Sequence, residues 1–145
     1  ARHAMVEQQV RPWEVLDRRV LDVLGDVRRE DFVPVPHRKL AFADLALPLG
    51  HGEFMLKPVV EGRLLQALDL APTDEVLEIG AGSGFLTACL ARLARSVQAI
   101  EINADFVAEA QRRLQAPAAA NVRLAHAAAA TWDTARSFDA ILLGG

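Results

Sequence analysis

Val76-Leu77-Glu78-Ile79-Gly80-Ala81-Gly82-Ser83-Gly84-Phe85-Leu86 is the stretch whose reading decides the rest of the chain. A short apolar strand runs into a glycine-rich turn, and the turn opens an apolar-periodic helix. Glycines at 80, 82 and 84 let the backbone bend sharply and come close to a ligand that a Cβ would repel. Unpaired amides at the helix start, and the positive end of its dipole, are expected to face that ligand. The arrangement predicts a cofactor crevice at the carboxyl end of a strand in an open α/β sheet.

A dinucleotide fingerprint, Gly-x-Gly-x-x-Gly, would need its third glycine where Phe85 stands. The spacing is instead Glu78-x-Gly80-x-Gly82-x-Gly84, which resembles motif I of class I S-adenosyl-L-methionine (SAM)-dependent methyltransferases. SAM has no pyrophosphate, so such a turn need only accommodate its amino-acid moiety. The resemblance implies Glu78, Gly80, Ala81, Gly82, Ser83 and Gly84 as cofactor-binding residues, with Glu78 holding the loop or the ammonium end. The next strand, Ser96–Ile102, carries an acid twenty-one positions after Gly80. A carboxylate there accepts hydrogen bonds from ribose hydroxyls. Glu101, with Ile102 beside it, therefore joins the expected cofactor site.

Working outward, 145 residues bound one domain with enough core to fold. Apolar residues make up 52 % and charged residues 24 % of the chain, and the net charge of −3 gives no reason to expect nucleic acid or an anionic membrane as partner. Cys89 lies between Leu86 and Leu90 on the predicted helix, which reads as a buried thiol. One cysteine and four scattered histidines give no metal-ligand spacing. With no secretory h-region and no long apolar run, a cytoplasmic location is expected.

The first twelve residues read as helical up to Arg11-Pro12. A second helix follows with Asp17 as N-cap, Val20, Leu21, Val23 and Leu24 as its apolar stripe, and Gly25 as its stop. Arg28-Arg29-Glu30-Asp31 reads as a solvated charge cluster, and Phe32 to Pro36 as an irregular connection. The glycine-flanked stretch ending Pro48-Leu49-Gly50-His51-Gly52 reads as a mobile lid loop. A helix then starts at Lys57-Pro58, with Val60, Leu64 and Leu68 on one face. Beyond Asp74 the alternation is regular: strand Glu75–Ile79, helix Gly84–Ala94, strand Ser96–Ile102, helix Ala104–Leu114, strand Val122–His126 and strand Phe138–Leu143. Residues 1–70 are thus expected to form N-terminal helices and a substrate or lid loop, and 71–145 a Rossmann-like core with a mostly parallel sheet, the two making one structural domain. The apolar last strand calls for a neighbour, so further C-terminal strands are expected beyond these four.

Leu47-Pro48-Leu49-Gly50-His51-Gly52, Pro58, Val76–Gly84, Leu86-Thr87-Ala88, Trp132 and Phe138-Asp139-Ala140-Ile141 together resemble the protein-L-isoaspartate O-methyltransferase family. The SAM motif is common to many methyltransferases; the Leu-Pro-Leu-Gly-His-Gly stretch upstream is the specific part. The resemblance implies methyl transfer from SAM to the α-carboxylate of an isoaspartyl residue in a damaged protein, giving an ester that collapses to a succinimide. A carboxylate is already ionised at neutral pH, so in-line attack needs alignment and exclusion of water rather than a general base. The absence of a Ser/His/Asp or Cys/His constellation fits that chemistry. The resemblance places His51, Phe54, Met55 and Leu56 on the substrate loop, with core packing the alternative reading for the last three and loop-backbone satisfaction the alternative for His51.

Two positions depart from the family. Leu56 stands where a serine usually lies beside the transferring methyl group, and no catalytic residue is assigned in its place. Ala127 stands where an aspartate usually accepts from the adenine amino group. The departures leave two alternatives open: a SAM-dependent methyltransferase with another acceptor, and a non-catalytic SAM-fold module.

Overall fold

The computed structural model describes residues 1–115, 117–132 and 136–144, which fall into two compact units, Ala1–Asp69 and Leu70–Gly145. The first unit opens helically, though not as a regular α-helix. One turn, α1 (Arg2–Ala4), widens into a π-helical stretch over Met5–Val10 and tightens into a 3-10 turn at Arg11–Trp13, with Pro12 in its first positions. Helix α2 (Arg18–Asp26) begins where the Asp17 carboxylate accepts the Arg19 N–H, the cap that the sequence predicts. Gly25 does not stop it: the helix runs through that residue and closes with the Val27 N–H on the Val23 carbonyl. Two 3-10 turns, Arg29–Phe32 and Val35–Leu40, overlap the two ends of the connection Phe32 to Pro36 expected to be irregular.

The expected lid loop is an antiparallel hairpin. Strand β1 (Leu47–Gly50) pairs with β2 (Glu53–Met55), Leu47 opposite Met55 and Pro48 opposite Phe54, with a register shift between Pro48 and Gly50. Helix α3 (Pro58–Leu68) starts at the predicted proline but buries another face than predicted. Pro58, Glu61, Gly62 and Leu65 are buried, whereas Val60 is exposed. The reason is close packing at Gly62, where an added Cβ would lie 2.8 Å from Val10 Cγ1 and 3.3 Å from both Leu24 Cδ1 and Val15 Cγ2.

Arg29 corrects the reading of its charge cluster as solvated. Its side chain is fully buried and bonds to the Glu61 carboxylate. Nε donates to the Ala41 carbonyl at 2.6 Å and Nη2 to the Leu56 carbonyl at 3.0 Å. One guanidinium thus clamps both ends of the segment that carries the hairpin.

In the second unit β3 (Glu75–Ile79), α4 (Phe85–Leu93), β4 (Ser96–Glu101), α5 (Ala104–Arg113), β5 (Val122–His126) and β6 (Ala140–Leu143) follow one another. The strands form one parallel sheet in the order β5-β4-β3-β6. Phe85, Leu86, Cys89, Leu90 and Leu93 of α4 are buried, as the periodicity predicts. Strand β6 begins two residues later than predicted, because Asp139 caps β3 instead: its carboxylate accepts the Glu75 N–H at 2.7 Å. After β5 the chain crosses to the other side of β3. The order therefore reverses beside β3, and the crevice at such a switch point, at the carboxyl ends of the strands, is where open α/β sheets bind ligands.

Candidate functional site

The glycine turn occupies that switch point. Gly80, Gly82 and Gly84 have φ of 89°, 54° and 88°, the left-handed region in which a Cβ is strained. The amides are more fully engaged than the sequence predicts. Gly80 N–H donates to the Ile100 carbonyl, Gly84 N–H to the Ala81 carbonyl (both 2.9 Å) and Phe85 N–H to Ser83 Oγ at 3.2 Å. Gly82 N–H donates to Glu101 Oε1 at 2.9 Å. The turn is therefore held by its own bonds and by an acid from the next strand, and the picture of a row of orphan amides facing a ligand is corrected for these four.

Glu101 is 4 % exposed and turned onto the turn, not outward to water. Its Oε2 accepts from Asn103 N–H at 2.9 Å and from Asn103 Nδ2 at 3.2 Å. Three of the roughly four lone-pair positions of the carboxylate are thus engaged, leaving room on Oε1 for a hydroxyl donor. Ile102, next in the chain, is 63 % exposed. Ala127 sits just past β5 and donates its N–H to the Glu101 carbonyl at 3.0 Å. His126 bonds the Ile102 carbonyl through Nε2 at 3.0 Å. The second unit thus brings Glu78, Gly80 to Gly84, Glu101, Ile102 and Ala127 to the carboxyl ends of adjacent strands.

Glu78 is 1 % exposed, with Thr87 Oγ1 donating to Oε1 and with Oε2 buried and lacking a hydrogen-bond partner among the described residues. Burial pushes its carboxyl up to about 8, the Thr87 hydrogen bond opposes this, and the Glu101 carboxylate adds to it. An orphaned buried oxygen is costly unless something polar reaches it.

The expected substrate-loop residues lie in the first unit. His51 takes the turn of the hairpin with φ of 54°, Phe54 is 57 % exposed, Met55 is buried and Leu56 is half-buried. Met55 therefore follows the core alternative, and Phe54 does not. Among the described residues no group of three His, Cys, Asp or Glu is placed to hold a metal ion, and no helix is long and apolar enough to cross a membrane.

Sequence reasoning missed Asn103, Gly144 and Arg113. Gly144 donates its N–H to the Ile79 carbonyl at 2.8 Å, and a Cβ there would lie 3.0 Å from the Gly80 carbonyl oxygen. Arg113 Nη1 donates to the Ser83 carbonyl at 3.0 Å. Asn103 alone carried a usable signal, an Asn at a strand-to-helix boundary.

The sequence model of the protein-L-isoaspartate(D-aspartate) O-methyltransferase family matches residues 1–145. The protein-L-isoaspartate O-methyltransferase of Roseiflexus sp. (strain RS-1) is 40 % identical over 121 residues, covering 83 % of this chain and 55 % of that one. The protein of the same name in Methylorubrum populi is 40 % identical over 99 % of this chain and 68 % of its own length. The chain spans about half the length of several such relatives. A Plasmodium falciparum crystal structure described as a protein-L-isoaspartate O-methyltransferase in complex with S-adenosyl-L-homocysteine superposes with a TM-score of 0.85 over 99 % of this chain and 72 % of that one. At 20 % identity, that likeness concerns the fold.

Proposed function

Because this chain belongs to the protein-L-isoaspartate(D-aspartate) O-methyltransferase family, we propose that it serves SAM-dependent methyl transfer to the α-carboxylate of isoaspartyl residues in damaged proteins. The observation that carries the reading is Glu101, buried and aimed at a left-handed glycine turn with acceptor capacity to spare. The residues present fit SAM. Glu101 offers Oε1 to a ribose hydroxyl, and exposed Ile102 offers an apolar surface to the base. Glu78 holds a buried oxygen that a cationic amino group would satisfy. When bound, SAM supplies a methyl group activated on a sulfonium. The chain's own residues orient and desolvate: the glycines admit the ligand, and the hairpin residues His51 and Phe54, with Leu56 just beyond β2, are assigned to the acceptor side. No residue need take a proton, since the acceptor is already a carboxylate.

The test is transfer of labelled methyl from SAM by the full-length protein to an isoaspartyl peptide and to its aspartyl counterpart. Transfer to the first alone is expected; no transfer, or equal transfer, removes the assignment. A second reading keeps SAM and changes the acceptor, and Leu56 favours it, because a leucine side chain offers the acceptor carboxylate no hydrogen bond. Under that reading Leu56→Ser creates or greatly raises isoaspartyl activity; under the first it changes the rate by about tenfold or less, the worth of one neutral hydrogen bond. A cytoplasmic location belongs to the same proposal, supported by Cys89 being buried with no second cysteine in the sequence to form a disulfide with.

A further inference from the structure

Four consecutive residues of the turn carry a hydrogen-bonded chain with a formal charge at each end. Arg113 Nη1 donates to the Ser83 carbonyl at 3.0 Å. The N–H of that same peptide unit, on Gly84, donates to the Ala81 carbonyl at 2.9 Å. The N–H of the next unit, on Gly82, donates to Glu101 Oε1 at 2.9 Å. The direction is constant: guanidinium to peptide, peptide to peptide, peptide to carboxylate. Bonds aligned in this way polarise one another, and bonds with an ionised end are the stronger ones. Both ends belong to one stretch of chain. Glu101 closes β4, Asn103 links it to α5, and Arg113 is the last residue of that helix. The Arg113 side chain is 14 % exposed, and Glu109 Oε2, one helical turn back, lies 3.4 Å from its Nη2.

We propose that Arg113 is a positioning residue for the cofactor: by anchoring the Ser83–Gly84 peptide it fixes the glycine turn and, through two peptide units, the Oε1 side of Glu101. The inference rests on the SAM reading of that turn. A turn with three left-handed glycines is intrinsically loose, because glycine gives up more backbone freedom on ordering than any other residue. An anchor at its far end moves that ordering ahead of binding, and preorganisation of this kind raises affinity without any new ligand contact.

The experiment measures binding of S-adenosyl-L-homocysteine to the full-length protein by calorimetry, for wild type, Arg113→Met, Arg113→Lys and Arg112→Met. Arg112 bonds the same Glu109 and serves as the surface control. Arg113→Met is expected to bind about tenfold more weakly, Arg113→Lys to lie between it and wild type, and Arg112→Met to match wild type. Steady-state rates with an isoaspartyl peptide add a readout that simple destabilisation does not move. A partly unfolded variant loses kcat through its active fraction, whereas a loosened turn raises KM for SAM and leaves KM for the peptide in place. That split carries the test even where Arg113→Met melts early. In a double-variant cycle with Glu101→Gln, the combined loss is expected to be smaller than the product of the two single losses, because each substitution cuts the same chain. Wild-type affinity in Arg113→Met, equal losses in the Arg112 and Arg113 variants, or full additivity in the cycle overturns the proposal. If wild type itself does not bind S-adenosyl-L-homocysteine, the SAM reading fails first, and the failure is recognisable as such.

Discussion

At the scale of single residues, two of the buried carboxylates, Glu61 and Glu78, are managed differently. Glu61 meets Arg29, yet burial still raises its carboxyl to about 7 against that partner's pull. Glu78 has the Thr87 hydroxyl to help it and the Glu101 carboxylate against it, and burial raises it to about 8. An acid whose folded-state value is raised contributes stability that is complete below its unfolded value near 4.5 and is lost as pH climbs through the folded value. Between those limits the folded chain holds a proton that the unfolded chain has released, so stability falls with rising pH. Glu78→Gln removes this titration. Its melting temperature is therefore expected to drop less than that of wild type between pH 6 and pH 9, the difference reflecting on the order of a few kcal/mol. Parallel curves over that range would mean that Glu78 is ionised throughout. Arg29→Met breaks the other arrangement by leaving the Glu61 carboxylate and two carbonyls, of Ala41 and Leu56, without their donor. A loss of about 3–5 kcal/mol in urea unfolding is expected, and Arg29→Met with Glu61→Leu should recover part of it, since the buried charge is then gone.

At the scale of elements, legibility followed how local the determinants are. Helix α4 and strands β3 and β4 were readable because their apolar spacing, their glycines and their boundary acid all lie within a few dozen residues and agree. The hairpin was not. Pro48 argues against a strand, Gly50-His51-Gly52 argues for a loop, and only the pairing of Leu47 with Met55 decides between them. Arg29 was illegible for a related reason, since its partner sits 32 positions away and nothing near it separates a buried arginine from its solvated neighbours. Helix α3 was misread because a glycine marked its packed face, and glycine carries no hydrophobic signal. Gly62→Ala tests that face. Alanine favours helix by roughly 1 kcal/mol, but its methyl would fall 2.8 Å from the stiff, β-branched Val10 side chain. Overpacking of that kind costs about 1–3 kcal/mol, so a net destabilisation is expected in denaturant melts, and a gain in stability would place Gly62 in looser surroundings.

At the scale of the whole molecule, the two units divide the residues assigned to the reaction. The glycine turn, Glu78, Glu101, Ile102 and Ala127 belong to Leu70–Gly145, while His51, Phe54 and Leu56 belong to Ala1–Asp69. If the first set serves the methyl donor and the second the acceptor, the two ligands should leave separate marks on backbone opening. A ligand stabilises the segments it contacts by mass action, about 2.7 kcal/mol at a hundred times its Kd, and local opening is what hydrogen exchange reads. In the full-length protein, saturating S-adenosyl-L-homocysteine is expected to slow exchange over 79–87 and 100–104, where amides already bond within the turn and its acid. An isoaspartyl peptide added to that complex is expected to slow exchange over 47–56, including the hairpin turn at His51. Protection of 47–56 by the nucleoside alone would assign the hairpin to the donor as well. Protection of 79–87 only on adding the peptide would reverse the assignment, making the glycine turn part of the acceptor's site.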